Sequence, residues 1–503
     1  MATWRPGTAD LQRVFDEQNP WHHTGSVPTA LARPSERPLA KALWQATQRN
    51  EPRRFQLVLG PRRVGKSTVM YQTVRHLLDV GVDRDRLWWL RLDHPVLMQE
   101  PLGDLVRRIV DEHGAGGELY LFLDELVYAK DWDRWLKTFY DDNWPVRIVA
   151  TSSASAALAD RRHESGVGRW TNQYLLPYQF TEYLDLVEVE FGLDAPPDLD
   201  QGIRAAGHLR IEHLDLDTQR TKLMLVGGFP ELLTQARLTG SADNPTRLLE
   251  SQQTLRADAV ERAIYKDIPQ SFGIADTMLL ERLLYVLAGQ IAGLVSPKNI
   301  CAELDGMSTP TFGRYLSYLE QAFLVFTLPN YSGREVNVQK RGRKLYFADG
   351  AIRNAALQRG IAPLADLGEL GLLTENMVAA NLHALGQQTG VRLFHWRDGR
   401  HEVDLVYDHP TAPLAFEIGS SPSHALSGLR AIIDRYPRFE DRCWLVAPGA
   451  TFRAPESSSS GIGTISLDAF LLAVGRLSEA ALAVRLGGGA GSAPTGPSRL
   501  FEP

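Results

Sequence analysis

Eight consecutive residues, Gly60-Pro61-Arg62-Arg63-Val64-Gly65-Lys66-Ser67, carry glycine, glycine-lysine and serine at the spacing G-x-x-x-x-G-K-S. Glycines at these positions let backbone N–H groups curl around phosphate oxygens, and a helix starting there adds partial positive charge. Lys66 has the reach for β- and γ-phosphates, and Ser67 has the hydroxyl for Mg²⁺. The cradle runs from Gly60 to Thr68. The apolar run Phe55-Gln56-Leu57-Val58-Leu59 leads in and a helix-compatible stretch, Thr68 to Leu78, leads out. This strand–loop–helix context predicts binding of a nucleoside triphosphate, ATP with Mg²⁺.

A second pair of groups suits the same chemistry. Leu119-Tyr120-Leu121-Phe122-Leu123 runs directly into Asp124-Glu125. An acid ending a buried strand can hold Mg²⁺ directly or through water, so Asp124 joins Ser67 as a candidate metal ligand. Glu125 could orient and deprotonate an attacking water. Thr151 and Ser153 end another apolar run. Their hydroxyls suit either a γ-phosphate or water sensor, or the cap of a helix from Ala154 onward. Arg169 follows Gly166-Val167-Gly168 and suits either an arginine finger acting on a neighbouring subunit or a surface loop; Arg161 and Arg162 are weaker candidates for the same role.

The elements that must position these groups recur at α/β spacing. Leu87-Trp88-Trp89-Leu90-Arg91-Leu92, Leu119–Leu123, Val146-Arg147-Ile148-Val149-Ala150 and Gln173-Tyr174-Leu175-Leu176 are dense apolar runs. Such runs predict strands buried on both faces, hence a parallel sheet under helices. Ligands of such sheets sit at the carboxyl ends of the strands, where all these groups fall.

Composition bounds the rest. With 503 residues, about three domains are expected. Hydrophobic residues make up 44% and charged residues 23%, which is ordinary globular usage. The formal net charge of −6 provides no global field toward DNA or anionic lipid. Cys301 and Cys443 offer neither metal spacing nor a disulfide framework, which fits a reducing cytoplasm. No apolar run approaches the about 18 residues of a membrane helix. Met1 to Arg13 lacks the apolar core of a signal peptide.

The chain resembles prokaryotic AAA+-type P-loop ATPases that carry a C-terminal nuclease-like domain of unknown function. The segments that carry the resemblance are Asn19-Pro20-Trp21, Gly60 to Ser67, Leu123-Asp124-Glu125, and Gly168-Arg169 with Leu176-Pro177-Tyr178. Further on come Gly227-Gly228-Phe229-Pro230-Glu231, Tyr265-Lys266-Asp267-Ile268, Tyr346-Phe347-Ala348-Asp349, and Trp396-Arg397 to Asp404. One departure is Ser152, where the group more often has Gly. The resemblance implies a helical lid, with helices over Phe180 to Leu193 and Gln219 to Leu238 around a turn at Gly227-Gly228. Residues 194–212, rich in Pro and Asp, read as a loop.

Residues 280–345 have a helix-turn-helix rhythm. Phe312, Tyr315, Leu316 and Leu319 fall on one helical face after Thr309-Pro310, and a strand Leu324 to Leu328 follows. A basic hairpin then holds Lys340, Arg341, Arg343 and Lys344. With Arg314 on the preceding helix, these are the candidate DNA contacts of a winged helix. A winged helix that serves only structure or protein docking fits the same pattern.

Further on, Glu402 and Asp404 share one face of a strand, Glu417 lies on the next, and Glu375 sits upstream in a helix over Leu373 to Ala384. Restriction-type nucleases use such acids to hold Mg²⁺, with a lysine from E-x-K helping to activate water. Here Glu417-Ile418-Gly419 puts Gly where the lysine is expected. The reading is a degenerate second site; Arg400 could substitute from a neighbouring loop, but nothing in the sequence places it there.

The expected organisation is an N-terminal extension (1–38), a P-loop core (39–180), a helical lid (181–270), a winged-helix-like segment (271–345), a degenerate restriction-nuclease-like α/β domain (346–486) and a disordered tail (487–503). The expected function is a cytoplasmic, Mg²⁺-dependent ATPase, a nucleotide-driven switch on a protein or nucleic-acid partner. Alternatives are a nucleotide-gated DNA-binding regulator and an ATP-regulated nuclease. A finger role for Arg169 would require a homo-oligomer.

Overall fold

The computed structural model describes residues 6–49, 53–153, 168–209, 215–239, 244–304, 306–333 and 342–487. The chain forms two compact units. One comprises Met1–Leu175 with Asp267–Ile274, the other Leu176–Lys266 with Ala275–Pro503.

The first unit is a five-stranded sheet: β1 (Phe55–Leu59), β2 (Leu87–Arg91), β3 (Leu119–Asp124), β4 (Val146–Ser152) and β5 (Trp170–Tyr174). The order is β2-β3-β4-β1-β5 and every pairing is parallel. Every residue of β1 and β4 is buried, as an apolar parallel strand covered on both faces requires. Parallel neighbours need crossovers. Helices Leu102–His113 and Trp132–Asp141 supply them between β2 and β3 and between β3 and β4, and helix Lys66–Asp79 carries the chain from β1 to the far edge at β2. Together, the parallel sheet and its crossover helices form the P-loop NTPase fold.

The open edge of β2 is closed by the N-terminal segment. Fully buried Asn19 accepts from the Trp89 amide at 2.5 Å and donates to the Trp89 carbonyl at 3.1 Å, so one side chain stands in for a neighbouring strand residue. Trp21 Nε1 donates to the Leu87 carbonyl at 2.9 Å. The Asn19-Pro20-Trp21 signature is therefore an edge cap.

The second unit begins with helices Phe180–Leu186, Leu216–Val226 and Pro230–Thr239 in the stretch expected as a lid, the first ending at Leu186 and not at the expected Leu193. The break falls at Gly227, whose φ of +88° only glycine adopts readily. Residues 194–212 are not all loop: Leu199–Gly207 is helical. Asp198 caps it through the Gln201 amide, and Leu199, Ile203 and Ala206 form a buried stripe at i, i+4, i+7.

Two sheets follow. The smaller has β6 (Leu294–Val295), β7 (Val325–Pro329) and β8 (Arg343–Phe347) in the antiparallel order β6-β8-β7. Helices Thr277–Ala288, Pro297–Glu303 and Thr309–Gln321 accompany it, and the last buries Phe312, Tyr315, Leu316 and Leu319, the face read from sequence. The larger sheet has β9 (Leu393–Asp398), β10 (His401–Tyr407), β11 (Leu414–Ile418), β12 (Cys443–Ala447) and β13 (Ile462–Ser466). Its order is β13-β12-β11-β10-β9, antiparallel from β9 to β11 and parallel beyond. The long helices Leu367–Thr389 and Leu467–Gly487 flank it. Among the described residues no helix is long and apolar enough to cross a membrane.

Candidate active site

β1 delivers the chain to Gly60 at its carboxyl end. A Cβ at Gly60 would lie 1.9 Å from the Leu175 carbonyl oxygen, so only glycine allows the turn to pass β5. Gly65, at φ +96°, caps helix Lys66–Asp79, and Arg63 also takes a left-handed φ of +65°. Buried Arg37 braces the loop from outside by donating to the Val64 carbonyl at 3.2 Å.

Lys66 is 7% exposed. Its Nζ donates to the Gly60 and Pro61 carbonyls, at 2.9 and 2.8 Å. Burial holds its pKa below the ordinary lysine value, although the nearby Glu125 and Asp124 favour the charge. Ser67 Oγ donates to both carboxylate oxygens of Asp124, at 2.9 and 3.1 Å. Thr151 Oγ1 donates to Asp124 Oδ1 at 2.5 Å and accepts from the Glu125 amide at 3.0 Å. Burial, then the neighbouring Glu125, pushes Asp124 up to about 6, against the pull of the Thr151 and Ser67 hydrogen bonds.

Glu125 sits at φ +57°, a strained value for a residue with a Cβ, just where β3 ends. Its Oε2 accepts from Ser153 Oγ at 3.2 Å. The two hydroxyls thus divide their work: Thr151 ties Asp124 to the Glu125 backbone, and Ser153 steers the Glu125 carboxylate. The helix expected from Ala154, together with Arg161 and Arg162, lies outside the described residues. Arg169 is paired with Asp141 at the end of helix Trp132–Asp141, with contacts of 2.7 and 2.9 Å.

A buried ammonium over loop carbonyls fits a phosphate, and a hydroxyl facing a buried carboxylate is an oxygen donor set suited to Mg²⁺. Gly60, Pro61, Arg62, Arg63, Val64, Gly65, Lys66, Ser67, Asp124, Glu125, Thr151 and Ser153 come together at the carboxyl ends of β1, β3 and β4. One participant was not foreseen. Arg62 makes a two-pronged ion pair with Asp267, a residue 205 positions later in the chain. No local pattern marks Asp267; only its place in the Tyr265-Lys266-Asp267-Ile268 signature singles it out.

The acids of the second unit also converge, around a cation that the sequence reading assigned elsewhere. Lys344 Nζ lies 2.7 Å from Glu375, 3.0 Å from Glu402 and 2.8 Å from Asp404. Lys344 is 3% exposed. It faces inward from β8 and is not free to meet a DNA phosphate, which corrects its expected place on a basic wing. Of the other candidate DNA contacts, Arg314 and Arg343 are exposed, and Lys340 and Arg341 lie outside the described residues. Asp404 falls where the β9–β10 register shifts, and its Oδ2 accepts from the Ile418 amide at 2.9 Å. Burial, then Asp404, raises Glu375 to about 7 and Glu417 to about 9. A side chain at Gly419 would meet His424 Cβ at 2.8 Å and the Ser421 carbonyl at 2.9 Å, so the loop has closed where an E-x-K lysine would start. Among the described residues no group of three or more His, Cys, Asp or Glu side chains is arranged to hold a metal ion.

Three family models match in succession: an AAA domain over residues 52–184, and two domains of unknown function over 217–361 and 370–459. An uncharacterized protein of Haemophilus influenzae is 22% identical over 394 residues, 76% of this chain and 88% of the relative. An uncharacterized Methanocaldococcus jannaschii protein is 24% identical over 355 residues, 68% of this chain and 71% of the relative. Among solved structures, a Walker-type ATPase of Pyrococcus abyssi matches at TM-score 0.42 and 14% identity, covering 63% of this chain and 94% of its own. The Aeropyrum pernix ORC1 protein in complex with DNA matches at TM-score 0.28 and 16% identity, covering 67% and 96%. Residues 60–153 of the described site fall inside the stretch that matches the AAA domain model, and Asp267 falls outside it.

Proposed function

We propose that the first unit binds ATP with Mg²⁺ and hydrolyses it, and that the chain is a nucleotide-driven switch acting on a protein or nucleic-acid partner. The observation that carries the reading is the Lys66 ammonium, buried against two carbonyls beside the Ser67–Asp124 pair. A buried cation with only neutral acceptors is stabilised by an anion, and the loop N–H groups favour a phosphate. Ser67 and Asp124 would hold Mg²⁺, which when bound neutralises phosphate charge. Lys66 binds and orients the phosphates. Glu125 accepts the proton of the attacking water, and Ser153 aims its carboxylate. Thr151 keeps Asp124 and the Glu125 backbone in register. The expected result is ATP turnover that Glu125→Gln reduces at least about a hundredfold and Lys66→Ala abolishes. Turnover equal in wild type and Glu125→Gln refutes the reading. Stimulation by duplex DNA would favour a nucleic-acid partner, and no stimulation a protein partner.

A second reading concerns the other unit and is favoured by Lys344. Lys344 of β8 lies within 3.0 Å of Glu375, Glu402 and Asp404, a cation among acids of the kind that a phosphodiester hydrolase would use, although the E-x-K spacing is broken. Plasmid cleavage with Mg²⁺ or Mn²⁺, lost in Asp404→Ala, tests it; an uncut plasmid leaves the cluster a structural ion pair.

A further inference from the structure

The Arg62–Asp267 pair is unusual in its connectivity and burial. The chain leaves the first unit after Leu175, returns for Asp267–Ile274 alone, and leaves again. The returning piece is the end of a helical run: the π-helical Ala263–Asp267 leads directly into Ile268–Phe272, which Gly273 closes at φ +67°. Asp267, where the π-helical stretch ends, reaches the phosphate loop. The Asp267 side chain is 6% exposed and that of Arg62 16%. Ile268 beside it is fully buried.

Arg62 lies in the loop between Gly60 and Lys66, and its charge is felt at the site. Burial opposes that charge, but the Asp267 hydrogen bonds more than offset this, with Glu125 adding to the effect, so Arg62 stays above its ordinary value. Lys66 in turn senses Glu125, Asp124, Arg62 and Asp267. These five groups form one electrostatic cluster. The side of the loop facing Glu125 is the side on which the attacking water and terminal phosphate must meet, if Glu125 has the role given above.

We propose that Arg62 is the arginine that engages the terminal phosphate in cis, and that Asp267 is a positioning residue which holds Arg62 in reserve until a triphosphate arrives. The inference rests on the ATP-binding reading. The exchange is of ion pairs only: the guanidinium passes from a carboxylate to a phosphate, and no bond is made or broken. Its consequence lies in what remains. A buried carboxylate that loses the cation hydrogen-bonded to it is costly. The Asp267–Ile274 segment must then shift to expose that carboxylate, and the chain on both sides of the segment moves with it. ADP lacks the terminal phosphate and leaves the pair closed.

The test is equilibrium binding of fluorescent ATP and ADP analogues to wild type, Asp267→Asn, Arg62→Met, the double variant and Lys66→Ala. Neutralising Asp267 frees Arg62, so ATP should bind about tenfold tighter, the worth of one charged hydrogen bond, with ADP unchanged. In the Arg62→Met background the same substitution should change nothing. A similar shift for ATP and ADP, or the same effect in both backgrounds, overturns the proposal, because a merely structural aspartate would act that way. If Asp267→Asn does not fold, hydrogen exchange on the full chain with intact Asp267 decides. In Glu125→Gln, which keeps ATP uncleaved, ATP but not ADP should raise exchange over residues 268–274; equal exchange overturns the proposal. Wild type that binds ATP, with binding lost in Lys66→Ala, keeps the ATP reading standing whichever way Asp267 falls. A chain that binds no nucleotide sinks both.

Discussion

Asp124→Asn should stabilise the nucleotide-free protein and abolish the proposed ATP turnover. Asp124 is buried, and its pKa stands at about 6 rather than 3.8. A carboxyl raised on folding costs nothing below its unfolded value, costs progressively more as pH climbs through the interval, and costs a constant amount above the folded value. The rise of about two units corresponds to about 3 kcal/mol at pH 7.5. Asparagine keeps an oxygen to accept from Thr151 and Ser67 and carries no charge. For an unfolding unit of about 150–250 residues, 1 kcal/mol shifts Tm by about 2–4 °C, so the gain should be about 6–12 °C. The assay is calorimetry in chelator at pH 7.5 and pH 5. At pH 5 the gain should fall to about half, because only part of the interval has been crossed. Adding Mg²⁺ and ATP should raise Tm for the wild type and not for the variant. A variant that melts at or below wild type in chelator, or gains equally at both pH values, refutes the desolvation argument.

Outcomes for four further variants follow from the geometry. Asn19→Ala strands the Trp89 amide and carbonyl in a fully buried position, and at about 1–3 kcal/mol per orphaned group it should cost about 3 kcal/mol in a urea titration. Gly428→Ala would set a Cβ 1.8 Å from the Glu402 carbonyl oxygen and should yield insoluble protein; Gly313→Ala, inside helix Thr309–Gln321 with open space around it, should gain about 1 kcal/mol by thermal melting. Lys344→Met removes the cation shared by Glu375, Glu402 and Asp404 and should cost about 3–5 kcal/mol at pH 8. Glu375 and Glu417 titrate at about 7 and about 9, so the loss should shrink as pH falls toward 6, which a Tm series across pH would show.

The phosphate loop and Asp124-Glu125 were legible because their chemistry is local. Eight contiguous residues make the loop, and an acid at the end of an apolar run is at the end of a buried strand. The face of helix Thr309–Gln321 was legible for the same reason, being a single period of 3.6. The short helix Leu199–Gly207 was not, because the Pro and Asp before it read as loop while its buried stripe holds only three apolar side chains, Leu199, Ile203 and Ala206. Lys344 was misread because sequence neighbours, not space, supplied its context. Beside Lys340, Arg341 and Arg343 it looked like one more wing cation. On β8 the alternation of side chains sets Lys344 on the same face as Tyr346, whose hydroxyl donates to Glu375 at 2.7 Å. Asp267 was out of reach for a different reason: its partner is 205 residues away and on another excursion of the chain.

The two buried lysines show what distinguishes a site awaiting a ligand from one already balanced. Lys66 is held below its ordinary pKa, because burial removes water and its direct hydrogen-bond partners are neutral carbonyls. Lys344 is equally buried, yet is held well above its ordinary value because Asp404, Glu375 and Glu402 more than offset the same loss of water. The residue type is shared and the shift has opposite sign. An anion entering beside Lys66 restores a missing counter-charge and gains from doing so. One entering beside Lys344 would meet a cation already surrounded by carboxylates, with like charges close by. Even with Asp124 and Glu125 nearby, electrostatics therefore favour an anion at Lys66 over one at Lys344. The second cluster can take up a ligand only if that ligand brings positive charge to relieve its surplus of carboxylates, or if Lys344 first moves away.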